Sequence, residues 1–267
     1  MRKYLSLFRI RFSTSLQYRA AAIAGIVTQF AWGFMELLAF SAFYRANPAA
    51  FPMEFSQTVS YIWMQQAFLA LFMTWFFENE IFAAITSGSI AYELVRPLDL
   101  YNRWFYQSAA NRLAKAVMRC FPILLVAYIV PDPLRMSLPA SLPQFLLFIC
   151  SVVLAFSVVV AFSMLIYTIT FYTLSPVGVR LMSAVLADFL AGAIIPLPFF
   201  PDGIRQVAEL LPFAAMQNMP LRIYCGNIIG IDALKGTGLQ IFWLIALVLC
   251  GRMMMKRALK KVVVQGG

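Results

Sequence analysis

The sequence predicts an all-α membrane protein with six transmembrane helices, on three observations. Six apolar runs, roughly Ala20–Tyr44, Thr58–Phe77, Leu113–Val130, Leu142–Phe171, Leu181–Phe200 and Leu239–Met255, fill most of the 267 residues. Hydrophobic residues make up 62% of the chain and charged residues 12%, about half the charge fraction of a soluble domain. The basic residues gather on alternate connections. An apolar stretch of about 18 residues or more crosses the ~30 Å hydrocarbon layer as a helix. The short connections leave little for a soluble domain, so residues 1–267 are expected to form one transmembrane domain.

Charge placement sets the expected orientation, because Lys and Arg near span ends mark the cytoplasmic side. The net charge is +10, yet its distribution fits a membrane better than a nucleic acid. Basic residues crowd the N-terminal segment (Arg2, Lys3, Arg9, Arg11, Arg19) and the region from Arg96 through Arg103, Arg112, Lys115 and Arg119. Arg180 and a C-terminal group of Arg252, Lys256, Arg257, Lys260 and Lys261 complete that side. Only Arg45, Arg135, Arg205, Arg222 and Lys235 of the 21 fall on the other connections. Both termini are therefore expected in the cytoplasm, with an even number of spans.

In chain order, residues 1–19 place Tyr4, Phe8, Phe12 and Leu16 at a spacing of four, with basic residues around them. That pattern predicts an N-terminal interfacial helix. The first run carries Glu36. A charge at a span's centre costs about 2.5–3.5 kcal/mol, against roughly 0.3–0.6 kcal/mol returned by each large aliphatic or Phe residue. The run still inserts, and its carboxylate is expected to face protein or water. Residues 45–57 and 131–141 are short, Pro-containing external turns. The second run contains Gln65 and Gln66, which with Gln29 of the first are lesser candidates for a path or gate, with hydrogen bonds between helices as the alternative. The third run contains Pro122 and starts close to Lys115 and Arg119, which can snorkel to the interface; charge parity is what makes it a crossing. A tight turn at Ser175-Pro176 separates runs four and five. Run five carries Asp188, and Gly192, Pro196 and Pro198 weaken the outer half of its helix, where a gate would sit. Glu36, Asp188, Gly192, Pro196 and Pro198 are thus candidates for a path or gate, with packing as the alternative.

Two polar segments are longer. In the cytoplasmic segment, 78–112, Ser87 and Ser89 are N-cap candidates, Gly88 permits a sharp turn, and Pro97 ends any helix at Arg96. A short, stiff helix within Ile90–Val95 follows, with Tyr92, Glu93, Leu94 and Arg96 available to a partner. In the external segment, 201–238, Ile204, Val207, Ala208 and Leu211 repeat at helical spacing up to Pro212, and a second apolar stretch runs from Phe213 to Tyr224. Each piece is too short to span. A pair of helices dipping into the outer leaflet, or a surface-lying loop region, accounts for them equally.

The chain contains no His, so His-based catalysis, metal ligation and proton relays are excluded. Cys120, Cys150, Cys225 and Cys250 form no C-x-x-C and suggest no disulfide framework. There is no G-x-S-x-G and no G-x-x-x-x-G-K-[ST] phosphate cradle.

The stretch Gly88-Ser89 … Leu94 … Pro97 resembles the G-[TS]-x-E-x-x-L-x-x-[TS]-P pattern of type-2 ABC-transporter permeases, the ABC-2 exporter family. Ala91 stands where that family favours an acid, with Glu93 two places later; Pro97 comes one residue sooner after Leu94 than in that pattern, and Arg96 before it stands where the family favours Thr or Ser. Leu94-x-Arg96-Pro97-Leu98 resembles a bacterial branch with an L-x-R-P-L motif. Ile195-Pro-Leu-Pro-Phe-Phe-Pro-Asp-Gly-Ile204, with Leu211-Pro212-Phe213 and Cys225-Gly226, resembles the family's re-entrant segment before the last span. The resemblance implies a bacterial inner-membrane permease subunit, itself non-catalytic, paired with a second copy or a related permease. Gly88, Ser89, Tyr92, Glu93, Leu94, Arg96 and Pro97 would then couple it to cytoplasmic ATPase subunits that bind ATP and Mg. No cofactor is expected in this chain, and membrane lipids but no nucleic acid among its partners. The alternative is a proton-driven secondary transporter using Glu36 and Asp188. Apolar spans are compatible with lipid-like or amphipathic cargo.

Overall fold

A computed structural model describes residues 2–173 and 175–260. Lys261, counted with the C-terminal basic group, lies outside them. The described residues form α-helices, two short 3-10 turns and no strand. The helices are α1 (Arg2–Ser15), α2 (Arg19–Ala46), α3 (Phe55–Phe72), α4 (Asn79–Thr86), α5 (Ala91–Leu94), α6 (Leu100–Ile129), α7 (Leu142–Thr173), α8 (Pro176–Leu190), α9 (Asp202–Leu210), α10 (Pro212–Met216), α11 (Asn218–Tyr224) and α12 (Gly230–Leu259). Among the described residues, three helices are long and apolar enough to cross a membrane: α2, α7 and α12.

The remaining three expected spans depart from that simple form for identifiable reasons. Helix α3 has 18 residues, about 27 Å at 1.5 Å per residue, but it is rich in Ser, Thr and Gln. It is also the most enclosed helix of the bundle, burying residues from Thr58 to Phe72 on nearly every face. Its polar groups therefore meet protein rather than lipid. Helix α6 starts at Leu100, earlier than the expected Leu113, because Asp99 caps it by accepting the Asn102 N–H at 2.9 Å. It runs through Pro122 to Ile129. Helix α8 has 15 residues, about 22 Å. The expected run Leu181–Phe200 is thus not one helix. Pro176 starts the helix early, and Gly192, with φ 76°, turns the chain before a 3-10 turn at Leu197–Phe199. The second run likewise stops at Phe72, short of Phe77.

The core runs along α3. Trp63, Ile62, Leu37, Ile123 and Phe148 bring α2, α3, α6 and α7 together. A second cluster around Phe77, Phe82, Trp104 and Tyr167 packs α4 onto α6 and α7. Helices α7 and α12 are joined by Gln240, whose amide donates to the carbonyls of Ser151 (3.2 Å) and Ala215 (2.9 Å) and accepts from the Ser151 hydroxyl (2.8 Å). Such buried pairings join helices where hydrophobicity alone gives no drive to associate.

Helix α1 packs on α6 through the face predicted from its spacing. Tyr4 stacks on Tyr106 at 5.5 Å, and the Asp99 N–H donates to the Tyr4 hydroxyl at 3.0 Å. Arg11 pairs with Glu80 at 2.7 Å. Leu5 and Ile10 remain exposed on the opposite side. The segment 201–238 holds three short helices, α9 to α11, rather than a pair, because Gln217 interrupts the second stretch. The connection 131–141 is packed in place: Trp63 Nε1 donates to the Leu134 carbonyl at 2.8 Å, and the Ser137 N–H to the Ser60 hydroxyl at 2.9 Å.

Candidate functional site

The segment predicted to couple folds as a compact hairpin of two helices, α4 and α5. Gly88, with φ 74°, sits in the left-handed region that favours glycine, and the Ile90 N–H reaches back to the Ala84 carbonyl at 3.0 Å. Ser87 and Ser89 do not cap α5 as expected. The Ser87 hydroxyl donates to the Ala83 carbonyl (2.7 Å) and accepts from the Ser89 hydroxyl (2.9 Å), and the residue before α5 is Ile90, buried at 1% exposure. The two serines therefore shape the turn, while Ile90 anchors it. Helix α5 is a single turn, shorter than Ile90–Val95 allowed.

Around that turn the side chains divide sharply. Tyr92 is 76% exposed, Leu94 41% and Val95 83%, with Arg96 and Pro97 exposed beside them. Three apolar side chains thus stand in the open on one small knob. Glu93 points the other way, which corrects the expectation that it is free for a partner. Its carboxylate pairs with Arg103 at 3.0 Å and accepts the Trp104 indole N–H at 2.8 Å. Arg103 is nearly buried and Trp104 fully so. Charge-assisted bonds of this kind are the stronger ones. They tie α5 to the first turn of α6. Sequence reasoning missed Val95, Arg103 and Trp104; an exposed Val and an inward Arg carry no local signature.

Helix α4 is fixed in turn to α7, where the Glu78 N–H donates to the Tyr167 hydroxyl at 2.7 Å. Burial raises the Glu78 carboxyl above its ordinary value of 4.5. Arg112, expected only as a basic flank, is 1% exposed and donates to the Met73 and Phe76 carbonyls at 2.6 Å each, and to Ser163 at 3.1 Å. It holds the turn that follows α3, near the negative end of that helix.

The candidate path residues separate into two groups. Glu36 of α2 accepts from the amides of Gln65 (3.5 Å) and Gln66 (3.3 Å) on α3. Gln65 also donates to the Ala193 carbonyl at 3.0 Å, and Gln217 donates to Gln65 (3.3 Å) and to the Gly192 carbonyl (3.4 Å). Tyr61 donates to the same Gly192 carbonyl at 3.3 Å. Gly192 therefore belongs with Glu36, through a network that joins α2, α3, the turn after α8 and α10–α11. Pro196 and Pro198 are buried just beyond that turn. Asp188 lies elsewhere: it accepts from the Thr74 hydroxyl at 2.5 Å, past the far end of α3. Beside Glu36 a cavity of about 760 Å³ opens between α2, α3 and the turn after α8. Among the described residues no group of three or more His, Cys, Asp and Glu is placed to hold a metal. Tyr61 and Gln217 escaped the sequence reading, although a Gln-Asn pair inside an apolar stretch was a usable signal.

A family model described as "ABC-2 family transporter protein" matches residues 30–266. No curated protein matches.

Proposed function

This chain belongs to the ABC-2 transporter family, and from that premise we propose that it is the membrane-spanning permease subunit of an ATP-driven exporter. Members of the family are membrane subunits that are not themselves catalytic and generally work with cytoplasmic ATPases. In our reading, α2, α3, α6, α7, α8 and α12 are six crossings of a bacterial plasma membrane, with both termini in the cytoplasm. Helix α1 lies along the inner interface, and α9–α11 dip into the outer leaflet. The chain forms a translocation path with a second copy or a related permease, and lipid surrounds the pair. ATP and Mg are bound by the partner ATPase.

The observation that carries this reading is the one-turn helix α5. It offers Tyr92, Leu94 and Val95 outward while Glu93 clamps it to Arg103 and Trp104. An exposed apolar knob is a liability unless a partner covers it. A rigid clamp delivers any push on that knob directly to α6, whose 30 residues extend about 45 Å. A proton relay is less well supported, since Glu36 and Asp188 stand in separate hydrogen-bond networks.

The test is site-specific photocross-linking from position 95 in native membranes. Capture of a nucleotide-hydrolysing chain is expected, and Leu94→Asp should abolish both capture and ATP-dependent transport while the permease still inserts. Transport and ATPase stimulation by Leu94→Asp at normal levels would overturn the proposal.

A further inference from the structure

The cavity beside Glu36 has features that packing leaves unexplained. Gln29 is 2% exposed, lines the cavity, and has neither amide atom hydrogen-bonded. Gln66, 4% exposed, leaves its carbonyl oxygen without a partner at the same wall. Glu36 takes part in none of the ion pairs among the described residues. The remaining walls include Trp32, Met35, Leu69, Trp75 and Ile194. Arg119 closes the opposite end, its guanidinium lying against Gly25 and donating to the Ala21 carbonyl at 3.3 Å. Gly25 and Glu36 are eleven residues apart on one face of α2, about 16 Å along the axis.

This is a polarised slot: a carboxylate without a counter-ion at one end, a cation at the other, aromatic and aliphatic walls between. Buried polar groups are rarely left unpaired, and here two amides and a carboxylate face one space. Its volume lies within the range of small-molecule sites. An anionic ligand would meet Glu36 unfavourably. A wholly apolar one would leave Glu36 without a counter-ion. A cationic group satisfies Glu36, while Trp32, Leu69 and Trp75 offer aromatic and aliphatic walls to an apolar body.

We propose that this cavity binds a cationic amphiphile, with its positive group at Glu36 and its apolar body against Trp32, Leu69 and Trp75. Its role as a cargo site rests on the exporter reading; the binding does not.

Tetraphenylphosphonium and tetraphenylborate, nearly identical in shape and opposite in charge, test it. The full chain is reconstituted with its membrane partners in phosphatidylcholine nanodiscs, and binding of each ion is measured against empty discs. Saturable binding of the phosphonium but not of the borate is expected. Glu36→Gln, which keeps the shape of the carboxylate, should weaken phosphonium binding at least tenfold. Ala39→Trp, which narrows the cavity one turn along α2 while keeping the Glu36 carboxylate, should weaken it comparably, and an unchanged unfolding temperature verifies folding. Equal binding of the two ions, or phosphonium binding unaltered by both variants, would overturn the inference. Cross-linking from position 95 is scored in parallel in native membranes. A captured ATPase with no charge discrimination sinks this site alone. Charge discrimination without a captured ATPase supports the site and removes the exporter reading.

Discussion

Glu93 illustrates what a residue's neighbours decide. Along the chain it is one of several polar residues on a short cytoplasmic segment. In the fold its carboxylate is the clasp between α5 and α6, bonded to Arg103 and Trp104. Removing one partner of a largely buried charged pair leaves the other unsatisfied, which costs on the order of 1–3 kcal/mol. Glu93→Gln keeps an acceptor for Trp104 but removes the charge opposite Arg103. We expect it to lower ATP-coupled transport several-fold while cross-linking from position 95 stays within about twofold of the parent. That split separates a clamp from a docking contact. Equal loss of both would place Glu93 in the interface itself. Arg112 makes the same point with the opposite sign: its sequence context suggests a basic flank, but its fork serves two carbonyls at once, a task that Lys, a single point donor, performs poorly.

At the scale of elements, the ends of helices proved harder to read than their existence. Gly88, Pro97, Pro176 and Pro212 mark boundaries that the structure respects, because each either permits a turn or removes a helical hydrogen bond. Gly192 did more than weaken a helix. It ends α8, and its carbonyl accepts from both Tyr61 and Gln217. A Cβ there would lie 3.2 Å from the Leu197 nitrogen and from the Tyr61 hydroxyl, on backbone with φ 76°. Left-handed backbone costs a residue with a Cβ roughly 1–2 kcal/mol, and crowding adds to it. Gly192→Ala is therefore expected to lower the unfolding temperature in detergent by several degrees and to impair transport, whereas Gly203→Ala, in open space, should leave both unchanged. Similar unfolding temperatures for the two variants would refute the argument. The short helices α9–α11 were legible as apolar pieces below spanning length, but the docking of α10 and α11 onto α7 and α12 was not, since it depends on Gln144 and Gln240 bonding to distant carbonyls.

For the whole molecule, orientation yields a test of its own. After replacement of Cys120, Cys150, Cys225 and Cys250 by Ser, a single Cys is introduced at Val95 or at Gly203, both exposed. An impermeant maleimide is expected to label position 203 in intact cells and position 95 only in inverted vesicles. Labelling of both from one side would break the six-span reading and the coupling role with it. Composition and run length by themselves determined that this chain is all-helical and belongs in a bilayer, because desolvating so much apolar surface allows little else. The spacing around Gly88 and Pro97 marked the α4–α5 turn for the same reason that glycine and proline act locally: their backbone limits do not depend on the rest of the fold. Only tertiary structure decided that α3, with its Ser, Thr and Gln residues, is the enclosed centre of the bundle, that Glu93 faces inward, and that Glu36 and Asp188 stand apart. Those outcomes depend on which helices meet and at what height, and pairing between residues on different elements, from Glu93 with Trp104 to Thr74 with Asp188, leaves no periodic trace in a single sequence.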